Sequence, residues 1–585
     1  MKKWYKYIRP YLFSFIIGPL CMIAEVIGEV IMPKLLSVII NNGNAGTLTA
    51  GKSVLIGALM VLTALVMMAG GVGGAYFGSK ASVGFASDLR MDVYKKIQSF
   101  SFANIDRFST GSLVTRLTND VTQLQNFVNM LLRMALRAPG MMIGALFMAI
   151  SIKPSLSSVF AVVLPVMLIV IGLIIAVAFP RFTRMQLKLD ALNSAVRENV
   201  TNVRVVKSFV REDYENKKFR KANRELKESG MAASKIMIFM QPVMTVFMSA
   251  TTMAVVWFGS SIVMNGGMAV GDLSAFLTYV TQILMSLLMV TFLLMTSSRA
   301  LASARRISEV LDEVPDISDE NAAAADKKVT RGEVEFRNVS FRYAKGSRDK
   351  VLDDISLKIP AGSTVGIIGS TGCGKTTLVS LIPRLYDADC GEVLVDGVNV
   401  KDYSLRNLRD GVGMVLQNNT LFSGTVADNL KWGNESATDE QMCAAAASAQ
   451  ADGFVTGFTD GYNTILDQSG KNVSGGQKQR LCIARALLKE PKVLILDDST
   501  SAVDTSTEAM IRKAFKNELS DATKVIIAQR ISSVKDADEI IVMNEGRITG
   551  VGTHEVLLDS NEDYREIYWS QNEKSKEVTV DGKNG

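Results

Sequence analysis

Six apolar runs occupy the first half of this 585-residue chain, at about residues 11–32, 53–77, 130–152, 156–179, 236–263 and 273–297. Each is as long as the roughly 20 apolar residues that a helix needs to cross a bilayer. Hydrocarbon offers no partner to backbone N–H and C=O groups, so runs of this length fold as helices. Three of the connections, around 42–52, 152–155 and 265–272, are short and poor in cations. Two others, about 78–129 and 180–235, are long and basic. Basic connections stay on the cytoplasmic side. Together with the Lys/Arg-rich start, this places both ends of an even number of spans in the cytoplasm.

The long connections carry helical, charged patterns, as if the spans ran on into the cytosol and turned back. At each turn lies an amphipathic stretch, Phe100–Asp106 and Val206–Asp213. Their aromatics suit either docking onto another domain or local packing. Gly70, Gly74 and Gly78 recur every fourth residue in the second run. That spacing permits close helix approach or, equally, a loose backbone. Glu25 and Glu29 share one face of the first run. Carboxylates at that depth are expensive. They are candidates to contact cationic groups of a substrate, to be neutralised by Arg133 or Arg137, or to lie near a wet end.

A mean hydropathy of +0.20 alongside 21% charged residues is the average of two unlike halves. Residues 314–326 are short, acidic and alanine-rich, and end the membrane half. The expected division is a transmembrane domain over 1–313, a linker over 314–330, a nucleotide-binding domain over 331–575 and a polar tail over 576–585. From 331 onward short β-rich runs appear at 332–343, 355–359, 364–368, 393–395, 413–416, 493–496, 524–528 and 539–543, and helical segments alternate with the later ones. The expected fold is therefore a membrane α-helical domain of six transmembrane helices extended into the cytoplasm. It is joined to an α/β P-loop nucleotide-binding domain with an antiparallel β subdomain and a helical subdomain.

Five scattered cysteines and a single histidine, His554, leave no Cys/His cluster. A zinc site is excluded, and a reducing compartment fits. The amino-terminal run is too long for a signal-peptide core and has no A-x-A cleavage site, so it reads as a retained span.

The chemistry begins at Gly369-Ser370-Thr371-Gly372-Cys373-Gly374-Lys375-Thr376, followed by Thr377. This fits G-x-x-x-x-G-K-[ST] between an apolar strand and a helix. Glycines let backbone N–H groups turn toward phosphates, Lys375 supplies a positive charge, and the Thr376 hydroxyl can bind Mg²⁺. Val493–Asp497 is an apolar strand that ends in a carboxylate, the place for a Mg²⁺-shell ligand. Ser474, Gly475, Gly476 and Gln477 open a helical run, with Ser474 as its cap and exposed N–H groups able to meet an anion.

Taken together these residues resemble an ATP-binding cassette exporter half-transporter, and the resemblance covers nearly the whole chain. Its carriers are the loop 369–376, the signature Val473-Ser-Gly-Gly-Gln477, Asp497, and Ser499-Thr-Ser-Ala-Val-Asp504, which resembles the D-loop. The resemblance implies that Gln417 senses Mg²⁺ and the γ-phosphate and that Tyr343 stacks on adenine. It also implies that two cassettes meet head to tail, each ATP lying between one subunit's loop 369–376 and the other's signature. The stretches near Asn104 and Phe209 become coupling helices. ATP, Mg²⁺, membrane lipid and a hydrophobic or amphipathic cargo are the implied ligands, with no nucleic acid. The implied location is the plasma membrane of a bacterium.

Three departures from the family pattern matter. Asp498 stands where the family usually has the Glu that polarises the attacking water. Gln529, in Ile527-Ala-Gln529-Arg530, stands where it usually has a His. Residues 466–470 also differ from the usual exporter pattern. Asp498 is one methylene shorter than Glu, and Gln529 hydrogen-bonds but does not protonate. With an intact signature, this resembles the degenerate-site subunit of heterodimeric bacterial multidrug exporters, whose partner half-transporter carries the Glu and the His. Two other readings stay open: a homodimeric drug or lipid exporter with Asp498 as catalytic base, and an ATP-sensing regulatory subunit that does not transport.

Overall fold

The computed structural model describes residues 2–581 apart from 321, 344–348 and 499–502. The chain forms two compact units, Met1–Ile97 with Gly111–Asp312, and Gln98–Thr110 with Glu313–Gly585.

Among the described residues of the first unit six helices are long and apolar enough to cross a membrane: Lys3–Asn44, Ala50–Gln98, Thr110–Ile152, Pro154–Thr201, Glu212–Met264 and Val270–Leu293. Pro154–Thr201 has 48 residues. At 1.5 Å per residue that is ~72 Å, more than twice a hydrocarbon core of ~30 Å. Its excess length is polar, and there it pairs with the fifth helix through Lys188–Glu225 at 2.7 Å and Lys218–Glu198 at 2.8 Å. The apolar parts pack around Phe160, Phe276, Met167 and Ile283. Phe160 stacks on Phe276 at 5.7 Å, and the Tyr279 hydroxyl donates to the Val30 carbonyl at 2.8 Å. Val54, Leu62 and Val72 of the second helix are exposed, as side chains facing lipid tails are.

Two of the three spaced glycines make a close approach to the first helix. A Cβ on Gly70 would lie 2.7 Å from the Cys21 carbonyl oxygen, and one on Gly74 would lie 2.5 Å from the Met22 methyl. At Gly78 the nearest atoms are 3.5 Å away, so that position has ordinary room. Arg137 reaches Glu25 at 3.1 Å and Glu29 at 2.7 Å. Arg133 lies beside Gly78 instead.

The second unit is built on β1 (Val334–Phe341), β2 (Leu352–Ile359), β3 (Thr364–Gly369), β4 (Cys390–Val395), β5 (Val398–Asn399) and β6 (Val412–Val415). After these come β7 (Gly424–Thr425), β8 (Ile465–Leu466), β9 (Val493–Asp497), β10 (Thr523–Ile527), β11 (Glu539–Asn544) and β12 (Arg547–Gly552). One sheet is antiparallel in the order β2-β1-β4-β5. The second runs β12-β11-β3-β10-β9-β6, parallel from β11 to β6, with β12 antiparallel at its edge. Strands β9 and β10 are buried at every position, as parallel strands covered on both faces must be. The helices Val426–Lys431, Asp439–Ser448 and Gly475–Leu487 form a helical subdomain around Leu430, Met442, Ala446, Leu481 and Ile483.

Four elements escape the sequence pattern. β5, β7 and β8 have two residues each, and β12 is a half-exposed, glycine-rich edge strand with no apolar run. Residues 98–110 join the two membrane-spanning helices on either side but cluster with the second unit. There Ser101 caps the short helix Phe102–Arg107 through a capping box with Asn104.

Asp396 and Gly397, with φ of 51° and 77°, make the two-residue turn between β4 and β5. Asp-Gly suits such a hairpin because both residues tolerate positive φ. The Asp396 carboxylate accepts the backbone N–H groups of Thr330, Arg331, Gly332 and Glu333 at 2.7–3.0 Å. It thereby pins the end of the linker to the sheet. Burial alone would raise its pKa, but the four donors outweigh burial and hold the carboxyl below its usual value. Because the folded value lies below the unfolded one, the stabilisation is complete above about pH 4 and disappears as pH falls through the depressed value. Asp396→Ala is expected to destabilise the protein by roughly 2 kcal/mol at neutral pH, with the difference from the parent shrinking in acid. Thermal unfolding of the detergent-solubilised chain across pH checks this.

Candidate functional site

The loop 369–376 leaves the C-terminal end of β3, which lies between β11 and β10. That edge of a parallel sheet is where such folds place ligands. Glycine is required at two of its positions for different reasons. A Cβ on Gly369 would sit 2.1 Å from the Met543 carbonyl oxygen. Gly374 adopts φ +97°, and its Cβ would lie 2.9 Å from the Val351 carbonyl oxygen. Ser370, Thr371 and Gly372 form the exposed tip of the loop, while Cys373 is buried beneath it. Lys375 lies under the loop and donates from Nζ to the carbonyl oxygens of Gly369 and Ser370, both at 2.8 Å. A buried ammonium held against a glycine-bent loop is an arrangement suited to phosphate oxygens.

Next to it, the exposed Thr376 hydroxyl donates to Asp497 Oδ1 at 3.0 Å. Asp497 closes β9 and is almost wholly buried, and its Oδ2 has no partner among the described residues. Burial pushes its pKa up. The Thr376 bond opposes that rise, the neighbouring Asp498 adds to it, and Lys375 opposes it. A buried carboxylate with one free oxygen beside a threonine hydroxyl is an oxygen donor set that fits Mg²⁺. These two residues would hold the ion, which supplies charge neutralisation of phosphate oxygens. Among the described residues no cluster of three or more His, Cys, Asp or Glu forms any other metal site.

Asp498 is fixed from several sides. Its backbone has φ +47°, a region that short polar side chains enter more easily than long ones. Its N–H donates to the Ile527 carbonyl at 3.0 Å, and its own carbonyl accepts from Gln479 at 3.3 Å. The carboxylate Oδ2 accepts from Gln529 Nε2 at 2.8 Å. Gln417, just beyond β6, also bonds to the carboxylate. Burial raises the Asp498 pKa, against the pull of Gln417, Lys375, Gln529 and Arg530.

Gln529 is itself positioned by a residue that the sequence reading missed. Gln571, in the last helix, donates to the Gln529 carbonyl at 2.8 Å and accepts from the Ile531 N–H at 3.0 Å. A glutamine forty residues downstream in a polar helix carries no pattern from which this could be read. Tyr343 places its hydroxyl 2.9 Å from the Thr377 hydroxyl and leaves about half its surface exposed beside the loop.

Lys375, Thr376, Thr377, Asp497, Asp498, Gln529, Gln417 and Tyr343 are thus brought to one place. The signature residues make a separate local structure. Ser474 accepts the Gln477 N–H at 3.3 Å, Gln477 Oε1 accepts the Ser474 N–H at 2.9 Å, and Gly475 and Gly476 open the helix Gly475–Leu487. Of the D-loop stretch, residues 499–502 lie outside the described residues. Asp504 caps the helix Thr505–Glu518 by accepting the Thr507 N–H at 2.9 Å.

Comparison with known proteins agrees with this geometry. Residues 15–287 match the family description "ABC transporter transmembrane region", and residues 352–501 match "ABC transporter". An uncharacterized ABC transporter ATP-binding protein of Mycobacterium tuberculosis is 38% identical over 580 residues, covering 99% of this chain and 98% of its own. The uncharacterized ABC transporter ATP-binding protein YfiB of Bacillus subtilis is 36% identical over 571 residues, 98% of each chain. An ATP-dependent lipid A-core flippase of Syntrophus aciditrophicus is 32% identical over 498 residues, 85% of this chain and 82% of that one. Among solved structures, a bacterial Atm1-family ABC exporter with ATP bound aligns with a TM-score of 0.79, covering 96% of this chain and 98% of its own. At 24% identity that likeness speaks for the fold. With six membrane-crossing helices joined to a domain built around the loop 369–376, and with relatives matched almost end to end, the chain belongs to the ABC transporter family, as a half-transporter whose ATPase domain couples hydrolysis to transport.

Proposed function

We propose that this chain is one subunit of a heterodimeric exporter that moves amphipathic or hydrophobic compounds out across the plasma membrane. Its own site binds MgATP and hydrolyses it slowly. Its Ser474–Gln477 segment completes a faster site on a homologous partner that carries the Glu and the His. The observation that supports this is the Asp498–Gln529 pair. The carboxylate is a methylene short for reaching an attacking water, and one of its oxygens already accepts an amide N–H. That bond occupies an oxygen that would otherwise accept from the attacking water. Gln529 takes the place of an imidazole without its proton chemistry. Lys375 and the loop N–H groups still bind and orient the phosphates, so binding outlasts turnover. Nucleotide binding draws two cassettes together, the loop helices pass the motion to the spans, and hydrolysis at the partner's site resets the pair.

Glu25 and Glu29 bring two negative charges to one Arg137, and each keeps a buried oxygen without a partner among the described residues. This favours cargo with a cationic group. The lipid A-core flippase relative favours a second reading, a homodimeric exporter of a lipid or drug in which Asp498 serves as the base. One experiment separates the readings. The chain is reconstituted alone and with its partner, and ATP hydrolysis and transport of cationic amphiphiles, neutral amphiphiles and labelled lipid are measured, with Glu25→Gln and Glu29→Gln variants. The heterodimer reading expects the chain alone to be slow and the pair fast. Full-speed transport by the chain alone overturns it.

A further inference from the structure

Tyr386 lies between two parts of the second unit. On one side its ring meets Tyr343 edge-on, with centroids 5.2 Å apart and planes at 89°, and it tilts against Phe341 at 5.6 Å. On the other side it meets Phe102 at 6.0 Å, and its hydroxyl donates to Asp106 Oδ2 at 2.8 Å. Phe102 and Asp106 belong to the short helix Phe102–Arg107. Burial, reinforced by the Asp106 bond, pushes the phenol pKa up, so the hydroxyl remains a donor throughout the physiological range.

The same short helix is held to the chain that leaves the sixth span. Asn104 Nδ2 donates to Glu313 Oε1 at 2.9 Å and to the Val314 carbonyl at 3.2 Å. Arg107 grips both oxygens of Glu313 at 3.0–3.1 Å. Asn104 is fully enclosed, and its Oδ1 accepts from Ser101 and from the Asp316 N–H. Tyr343, for its part, is tied through its hydroxyl to Thr377, the residue after Thr376, which bonds Asp497. A continuous set of contacts therefore runs from the Asp497–Thr376 pair through Tyr343 and Tyr386 to a helix joined covalently to the second and third spans and latched to the end of the sixth.

We infer that Tyr386 is a positioning residue that reports occupancy of the face of Tyr343 to the helix Phe102–Arg107 and, through Asn104 and Arg107, to the exit of the sixth span. The inference rests on the reading that Tyr343 stacks on the nucleotide base. An occupied Tyr343 face restrains that ring, and the edge-on contact passes the restraint to Tyr386. The Tyr386–Asp106 bond then orders the short helix. Contiguity alone does not establish such coupling, so the test perturbs each link and reads the far end.

Hydrogen exchange of the full-length chain in detergent, with and without saturating MgATP, separates the two ends. In the parent, MgATP is expected to slow exchange both in the loop 369–377 and in residues 98–110 and 313–316, the latter by about tenfold. Tyr386→Phe keeps the ring and removes only the hydroxyl, and Asp106→Ala removes the acceptor. Both are expected to keep the loop protection and lose the protection at 98–110 and 313–316. Unchanged exchange in β1 and β9 without nucleotide shows that the variants are folded. Tyr343→Ala is expected to raise the MgATP concentration needed to protect the loop. If it does not, the stacking reading is wrong. If both Tyr386→Phe and Asp106→Ala keep parental protection at 98–110, or lose protection of the loop as well, the positioning role is overturned whatever Tyr343 does.

Discussion

Asp498→Glu is expected to increase ATP turnover by the purified chain on the order of 10- to 100-fold, and Asp498→Glu with Gln529→His is expected to exceed it. A reacting group misplaced by ~1 Å can cost roughly 100-fold in rate, or about 2.7 kcal/mol of barrier. Against this stands the backbone. Position 498 has φ +47°, where a longer side chain costs roughly 1 kcal/mol more than a short polar one. The gain in barrier exceeds the loss in stability, so the variant should fold and turn over faster. Steady-state phosphate release by the parent and both variants, at equal ATP occupancy, decides the matter. Parental turnover already equal to that of the assembled pair, with no gain from Glu, contradicts a slow site built on Asp498.

Ser474→Ala is expected to reduce ATP hydrolysis by the assembled pair about 100- to 1000-fold while leaving nucleotide binding at the Lys375 loop unchanged. Ser474 Oγ accepts the Gln477 N–H as a helix cap, and losing a cap costs about 1 kcal/mol. That cost is too small to unfold the domain or to explain a loss of that size. Because the oxygen serves as the acceptor, its own O–H is free to donate to a phosphate across the subunit boundary. Removing one donor to developing charge typically costs 10²–10³ in rate. The asymmetry is the measurement that counts. On the proposed heterodimer, the same substitution in the partner should have a much weaker effect, since there the partner's signature would complete only the slow site. Equal effects from both subunits indicate two equivalent sites.

Much of this molecule is legible in its primary structure, for physical reasons. Lipid removes every backbone option except the helix, so six apolar runs translate directly into six spans. The loop 369–376 is readable because phosphate binding demands glycines and a lysine at fixed spacing between a strand and a helix. The place of Asp497 at the end of β9 is readable because an all-apolar run that closes on an acid marks a buried strand. The short strands β5, β7 and β8 and the edge strand β12 are not readable. They exist because a neighbouring strand offers a hydrogen-bonding edge, and their own residues carry no period.

Sequence alone determined the two-part architecture, the nucleotide loop, and the identities Asp498 and Gln529, since each depends on residue type at local spacing. Tertiary structure decided which of several possible partners each polar group takes. Arg137, and not Arg133, meets Glu25 and Glu29. Gln571 holds the backbone on either side of Arg530. Tyr386 meets Tyr343 edge-on and bonds to Asp106, 280 residues before it in the chain. A charge or a hydroxyl accepts any complementary group within about 3 Å. Which group arrives there is set by how distant segments pack, and no local pattern encodes that.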